Sequence, residues 1–164
     1  LLAVIYPFVK RFSSLPQAFL GIAFGWGAIM AWGAVKNGLD AAPVLIFIAN
    51  IFWSIAYDTI YAMQDIEDDI KIGVKSTAIL FGRFVHFALP LLYLAMAAFL
   101  ALAGISAGLG VIYFIGIAFC LLLFLCAAFL LKRNPDETTA FNGFFANAVF
   151  GGIMLLFIII DLNV

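Results

Sequence analysis

The chain alternates between long apolar runs and short polar connections. Five runs of mostly apolar residues lie near 14–35, 43–62, 84–103, 110–131 and 142–162. A helix of about 20 residues rises roughly 30 Å, which is the thickness of a bilayer's hydrocarbon core. A barrel strand would need polar and apolar residues to alternate, and the runs lack that alternation. The pattern therefore predicts an all-α integral membrane protein with five transmembrane helices.

Composition agrees with this fold class. The chain is 67% hydrophobic and 10% charged, whereas soluble domains are about 25% charged. The net charge of −1 and the lack of a basic stripe argue against a nucleic acid partner, and membrane lipid is the expected surrounding. Because Leu1 lies inside an apolar run, we expect the chain to open within the end of a sixth helix and to be a fragment.

The basic residues predict an orientation. If the spans alternate in direction, one side of the membrane carries Lys10, Arg11, Lys71, Lys75, Arg83, Lys132 and Arg133. Lys36 falls on the other side. Basic residues accumulate in cytoplasmic loops, so connection 63–83 is predicted to face the cytoplasm. A bacterial inner membrane is the expected location.

Connection 63–83 also carries a dense acidic cluster, Asp65-Ile66-Glu67-Asp68-Asp69. Polar residues recur every three or four positions before and within it, at Asn50, Ser54, Asp58, Tyr61, Asp65 and Asp69. That spacing predicts one face of a single continuous helix. Mg²⁺ binds carboxylate oxygens, often together with substrate phosphates. The cluster therefore predicts a site for a hard divalent cation such as Mg²⁺ at one edge of the bilayer, the alternative being a solvated charged loop.

Basic and aromatic residues extend this interpretation. Lys75 and the pair Lys10-Arg11 are expected on the same membrane face as the acids, where with a metal they would bind a polyphosphate. Apolar helices below would suit a lipid tail, so a lipid diphosphate is the predicted ligand. Tyr57, Trp53 and Tyr61 are either interfacial aromatic residues or ring faces that stabilise a carbocation.

Residues 57–78, YDTIYAMQDIEDDIKIGVKSTA, closely resemble the second aspartate-rich motif of the UbiA superfamily of intramembrane prenyltransferases. Residues 6–11, YPFVKR, and 15–17, LPQ, resemble the segment that joins the fourth and fifth helices of that family. The likeness is specific up to about residue 83 and rests on helix number and spacing beyond it. It implies that the chain is the second half of a nine-helix bundle. The family's first aspartate motif, NDxxDxxxD, is absent, which implies that the fragment alone is inactive.

The resemblance implies Mg²⁺-dependent transfer of a polyprenyl group from its diphosphate to an aromatic acceptor. The motif form points to 4-hydroxybenzoate, in ubiquinone biosynthesis. By this resemblance Asp65 and Asp69, with Asp68 as a further candidate, bind the metal. Lys10, Arg11 and Lys75 bind phosphate oxygens. Asp58 orients the acceptor or accepts its proton, unless it only bonds a neighbouring helix. The remaining substrate-binding candidates are Tyr6, Tyr57, Tyr61 and Asn50.

Two alternatives stay open. The acceptor of such an enzyme could instead be homogentisate, a naphthoate or haem. A cation-binding transporter half is a different class, and it predicts polar residues deep in several spans. The other spans are almost wholly apolar, with Asn147 as the main exception, which disfavours a transporter. Asn147 itself is expected to form a hydrogen bond between helices.

Overall fold

A computed structural model of the chain describes residues 8–133 and 137–164, and within them every regular element is helical. A short helical segment spans residues 8–12. The helices that follow are α1 (Pro16–Lys36), α2 (Ala41–Ala62), α3 (Ile66–Ile72), α4 (Thr77–Phe81), α5 (Val85–Ala107), α6 (Val111–Arg133) and α7 (Glu137–Asp161). Five of them are long and apolar enough to cross a membrane. The predicted fold class is confirmed.

The ends of the long helices follow from local chemistry. Pro16 occupies the first turn of α1, where its missing N–H costs nothing because the first turn has no acceptor for it. Asn37 ends α1 in the left-handed conformation at φ 51°, and Gly108 ends α5 at φ 69°. Glycine and asparagine adopt this conformation more readily than other residues. These residues leave only short connections between α1 and α2 and between α5 and α6.

Helix α2 is the centre of the bundle. It packs against α1, α5 and α7, while α6 packs against α5 and α7. Where α5, α6 and α7 meet, the ring of Phe124 stacks on Tyr93 at 4.5 Å between centroids and meets Phe150 edge-on at 4.9 Å. Close van der Waals contact of this kind drives helix association in lipid. The aromatic cluster therefore contributes to the packing of the helices that surround α2.

One amide in the interior links three helices. The Oδ1 atom of Asn147, on α7, accepts hydrogen bonds from Trp53 Nε1 at 3.0 Å and from the Tyr93 hydroxyl at 3.2 Å. Its Nδ2 atom donates to the Gly143 carbonyl at 2.8 Å. Trp53 lies on α2 and Tyr93 on α5. The predicted interhelical hydrogen bond of Asn147 is confirmed.

The bundle end opposite α3 is closed by a carboxylate. Asp161, at the end of α7, accepts hydrogen bonds from the backbone N–H groups of Gly110 and Tyr113 at 2.7 and 3.1 Å. Those N–H groups belong to the start of α6, where intrahelical acceptors are lacking. Asp161 therefore acts as a cap for α6 that is supplied by another helix.

Gly21 generates a testable prediction for α1–α2 packing. A Cβ atom on Gly21 would lie 2.7 Å from the backbone Cα of Ile51, so Gly21→Ala has to separate the two helices. We expect it to cost about 1–3 kcal/mol and to lower the melting temperature of the chain in detergent.

Gly27→Ala is the matched control, since a Cβ atom built there would meet no atom of another helix within 4 Å among the described residues. Alanine is the better helix former, so this variant should match or slightly exceed the wild-type melting temperature. Equal melting temperatures for Gly21→Ala and the wild type would contradict the close approach.

Candidate functional site

The polar residues do not lie on one continuous helix. Helix α2 ends at Ala62, and Asp65 N–H bonds to the Ala62 carbonyl at 3.3 Å in a tightened turn. A new helix, α3, then carries Asp69, so the predicted single helix from Asn50 to Asp69 is wrong. In α3 three acids occupy the first turn, where the helix dipole favours negative charge. At the end of a longer α2 they would meet the unfavourable negative pole.

Asp65 and Asp69 remain neighbours in this arrangement. Asp69 N–H donates to the Asp65 carbonyl at 2.8 Å, which places the two side chains one helical turn apart on the same side. Burial raises the pKa of the Asp69 carboxyl group; the Lys10 ammonium opposes this, and the carboxylates of Asp65 and Asp68 add to it. A basic residue that precedes α1 therefore lies close to the acids of α3.

The third predicted metal ligand has a different partner. Asp68 accepts a hydrogen bond from Lys71 Nζ at 2.9 Å, and both side chains are exposed. Among residues 8–133 and 137–164, no three His, Cys, Asp or Glu side chains are grouped so that they could hold a metal ion. Two carboxylates, Asp65 and Asp69, lie together. Mg²⁺ is commonly held by one or two carboxylates with substrate phosphates, so this pair fits the ion.

Lys75 and Lys10 meet directly. Gly73 ends α3 in the left-handed conformation at φ 71°, which turns the chain back toward α1. Lys75 N–H then donates to the Lys10 carbonyl at 3.0 Å, and Lys75 Nζ donates to the Phe12 carbonyl at 3.3 Å. An ammonium group has three protons, so two remain for another acceptor. Arg11 is exposed beside them.

Three buried polar residues next to this segment have no predicted role. Thr77 N–H donates to Gln17 Oε1 at 3.2 Å, and the hydroxyl groups of Thr77 and Thr59 share a hydrogen bond. All three side chains are fully buried. All three lie in the stretches that resemble the UbiA motifs, but as single neutral polar residues near the ends of apolar runs they have no spacing that predicts a role. Ser76 beside them caps α4 by accepting from Ile79 N–H at 3.3 Å.

Aromatic rings form a column toward the acids. Trp53 contacts Tyr57 at 5.6 Å between centroids, and Phe144 of α7 contacts Tyr57 at 5.8 Å and Tyr61 at 5.1 Å. The column runs from the bundle interior to the end of α2 that precedes α3. Tyr6, the remaining aromatic candidate, lies outside the described residues.

Asn50 and Asp58 lie on α2. Asn50 Nδ2 donates to the Gly21 carbonyl at 2.8 Å. Asn50 also borders a largely apolar cavity of about 230 Å³ between α2, α5, α6 and α7, with Trp53 and Phe124 in its wall. Asp58 is half-buried. The substrate roles given to Asn50 and Asp58 stay predictions.

Curated relatives share this sequence along most of its length. A 4-hydroxybenzoate octaprenyltransferase of Xanthomonas euvesicatoria pv. vesicatoria (strain 85-10) is 47% identical over 157 residues, which cover 93% of this chain and 52% of the relative. One of Marinobacter nauticus is 43% identical over 162 residues, or 99% of this chain and 55% of the relative. The chain thus spans about half the length of these relatives.

Two solved structures share the fold. A UbiA homolog from Aeropyrum pernix K1 superposes with a TM-score of 0.74 at 24% identity, covering 94% of this chain and 60% of that one. A digeranylgeranylglyceryl phosphate synthase gives 0.76 at 24% identity, covering 98% and 60%. Residues 1–149 also match the model of the UbiA prenyltransferase family. Because that match takes in most of the sequence, the chain belongs to the UbiA prenyltransferase family.

Proposed function

We propose that this chain is the C-terminal part of an enzyme that transfers a polyprenyl group from polyprenyl diphosphate to an aromatic acceptor. The observation that carries the proposal is the hydrogen bond from Lys75 N–H to the Lys10 carbonyl. It joins two basic segments far apart in sequence, beside the acids of α3. A site that combines carboxylates with basic side chains suits a metal-bound diphosphate. Helices outside this chain complete the site.

The diphosphate binds to the basic side of the site. Lys75 keeps two ammonium protons beyond its bond to Phe12, and Lys10 and Arg11 add positive charge beside it. Arginine matches phosphate geometry with two parallel N–H groups. These groups hold the diphosphate and stabilise the negative charge that grows on it as the carbon–oxygen bond breaks.

Asp65 and Asp69 are the residues that would hold Mg²⁺. The ion, when bound, supplies Lewis-acid stabilisation of the leaving diphosphate. The support is chemical: two carboxylates one turn apart, next to a region of positive charge. Asp68 contributes less in this proposal, since Lys71 already pairs with it.

The rest of the reaction takes place among aromatic side chains. Breaking the carbon–oxygen bond releases diphosphate and leaves an allylic cation, which the ring faces of Tyr57 and Tyr61 stabilise. The acceptor ring then forms a carbon–carbon bond beside its hydroxyl group and loses a proton. Asp58 is the proposed acceptor of that proton or of a hydrogen bond from the acceptor. The surrounding apolar helices exclude water, which would otherwise capture the cation.

We propose 4-hydroxybenzoate as the acceptor. The curated relatives at 42–47% identity carry that acceptor in their names. Family membership also favours a prenyltransferase over the transporter alternative. An assay that offers 4-hydroxybenzoate, homogentisate and a naphthoate in parallel would test the choice, and preference for either of the latter two would contradict it.

The metal assignment predicts that replacing Asp65 or Asp69 lowers activity more than replacing Asp68 or Glu67. In a chimera in which this chain replaces the matching half of the Xanthomonas euvesicatoria relative, Asp65→Ala and Asp69→Ala should each lower kcat/KM about 100-fold or more. Chelation of Mg²⁺ should abolish turnover. The measurement is transfer of radiolabelled polyprenyl groups to 4-hydroxybenzoate by membranes with equal amounts of inserted protein.

Glu67→Ala is the matched control, because Glu67 lies in the same turn of α3, is exposed and has no assigned role. It should retain wild-type activity, and Asp68→Ala should lose less than Asp65→Ala. Full turnover of Asp65→Ala at saturating Mg²⁺ would eliminate the metal assignment.

The basic residues generate a second activity prediction. Lys75→Gln and Lys10→Gln each remove a charged partner of phosphate, so we expect the KM for polyprenyl diphosphate to rise about 10-fold while the KM for the acceptor is unchanged. Lys36→Gln, at the other end of the bundle, should leave both constants at the wild-type values. Unchanged constants for Lys75→Gln and Lys10→Gln would refute the diphosphate site.

We also propose that α3 faces the cytoplasm of a bacterium whose inner membrane holds the protein, because most basic residues share its side. Ile72 and Leu39 are exposed at opposite ends of the bundle. In intact cells a membrane-impermeant maleimide should label Leu39→Cys at once and Ile72→Cys only after permeabilisation. The reverse pattern would invert the orientation.

A further inference from the structure

Three fully buried polar side chains meet where α1, α2 and α4 come together. Gln17 lies in the first turn of α1, Thr59 in the last turns of α2, and Thr77 at the start of α4. Burying polar groups costs free energy unless they are hydrogen-bonded. Their bonds therefore constrain how these three helices meet.

The direction of each hydrogen bond can be assigned. The Thr59 hydroxyl bonds to the Ile55 carbonyl, which can only accept, so Thr59 donates its one proton there. Thr59 must then accept from the Thr77 hydroxyl. Thr77 N–H donates to Gln17 Oε1 at 3.2 Å. Thr77 is thus bonded on both sides, to α1 through Gln17 and to α2 through Thr59.

Thr77 is directly connected to the site. Two residues before it, Lys75 N–H donates to the Lys10 carbonyl, and Val74 N–H donates to the Asp69 carbonyl at 2.9 Å. Segment 74–77 is therefore bonded both to the site and to the buried polar group. Movement of Thr77 would carry Lys75 away from Lys10 and loosen the contact with α3.

Gln17 is poorly explained by stability alone. Its Nε2 atom is buried and has no hydrogen-bond partner in the described parts of the chain, an arrangement that costs free energy. An apolar side chain of similar size would avoid that cost. What such a side chain would lose is the acceptor for Thr77 N–H.

We propose that Gln17 is a positioning residue, which through Thr77 holds Lys75 and Lys10 beside Asp69. The expected effect on KM rests on the proposed function, in which Lys75 and Lys10 bind the diphosphate and Asp69 holds its metal ion. Gln17 itself touches no substrate. Its loss should weaken binding of the diphosphate and leave the acceptor constants unchanged.

The kinetic test uses the active chimera. Gln17→Leu and Thr77→Val should each raise the KM for polyprenyl diphosphate about fivefold, the factor that one hydrogen bond corresponds to, with the KM for 4-hydroxybenzoate unchanged. Thr77→Ser keeps both hydrogen bonds and should retain the wild-type constants. A fivefold rise in Thr77→Ser, or none in Gln17→Leu, would overturn the proposal.

Asp161→Ala controls for general destabilisation. It removes the cap of α6 at the far end of the bundle and should lower the melting temperature without changing the KM for the diphosphate. If Asp161→Ala raised that KM as much as Gln17→Leu does, the effect of Gln17 would be one of stability and the proposal would fail.

A second measurement needs no enzymatic activity. Amide hydrogen exchange of the chain in detergent should show protection across residues 74–77, and Gln17→Leu should speed exchange there about fivefold with α6 unchanged. Equal exchange in Gln17→Leu and the wild type would refute the positioning role. If the wild-type chimera were inactive, the proposed function would be refuted. Faster exchange in Gln17→Leu would in that case still support the structural role of Gln17.

Discussion

A backbone hydrogen bond decides the character of the site. Lys75 N–H donates to the Lys10 carbonyl, although Lys10 precedes α1 and Lys75 lies between α3 and α4. The bond brings positive charge to acids whose mutual repulsion would separate them if they stood alone. It forms because Gly73 reverses the chain after α3 and because Thr77 is anchored below. The arrangement of acidic and basic groups at this edge of the membrane thus depends on backbone geometry as much as on the charged side chains themselves.

The membrane made much of the fold predictable. A span needs enough apolar residues to cross the hydrocarbon and must satisfy its own backbone groups, so length and hydropathy were enough for the five long helices. The sequence also predicted Lys10 and Lys75 on one membrane face, because alternating spans return both to it, but it did not predict the direct hydrogen bond between their backbones. Gly21 and Gly25 are spaced as GxxxG, a pattern typical of closely packed helices, and Gly21 does lie close to the backbone of Ile51.

The membrane edge was less predictable, because there water competes for every polar group and spacing alone does not decide the conformation. Residues 58–69 have helical periodicity, yet α2 ends at Ala62 and the acids start a new helix that its dipole favours. Asp68 turns toward Lys71, a choice that depends on side-chain orientation rather than on position in the chain. Gln17 and Thr77 meet across 60 residues, and local patterns do not encode such distant contacts.

The shared oxygen of Asn147 has a mechanical consequence. Its two donors sit on different helices, Trp53 on α2 and Tyr93 on α5, and hydrocarbon offers neither of them a substitute acceptor. A vertical slide of α7 by even one residue would break both bonds together. The amide therefore fixes the depth of α2, α5 and α7 in the membrane relative to one another. Any opening of the bundle that preserves both hydrogen bonds must tilt the helices sideways rather than slide them along their axes.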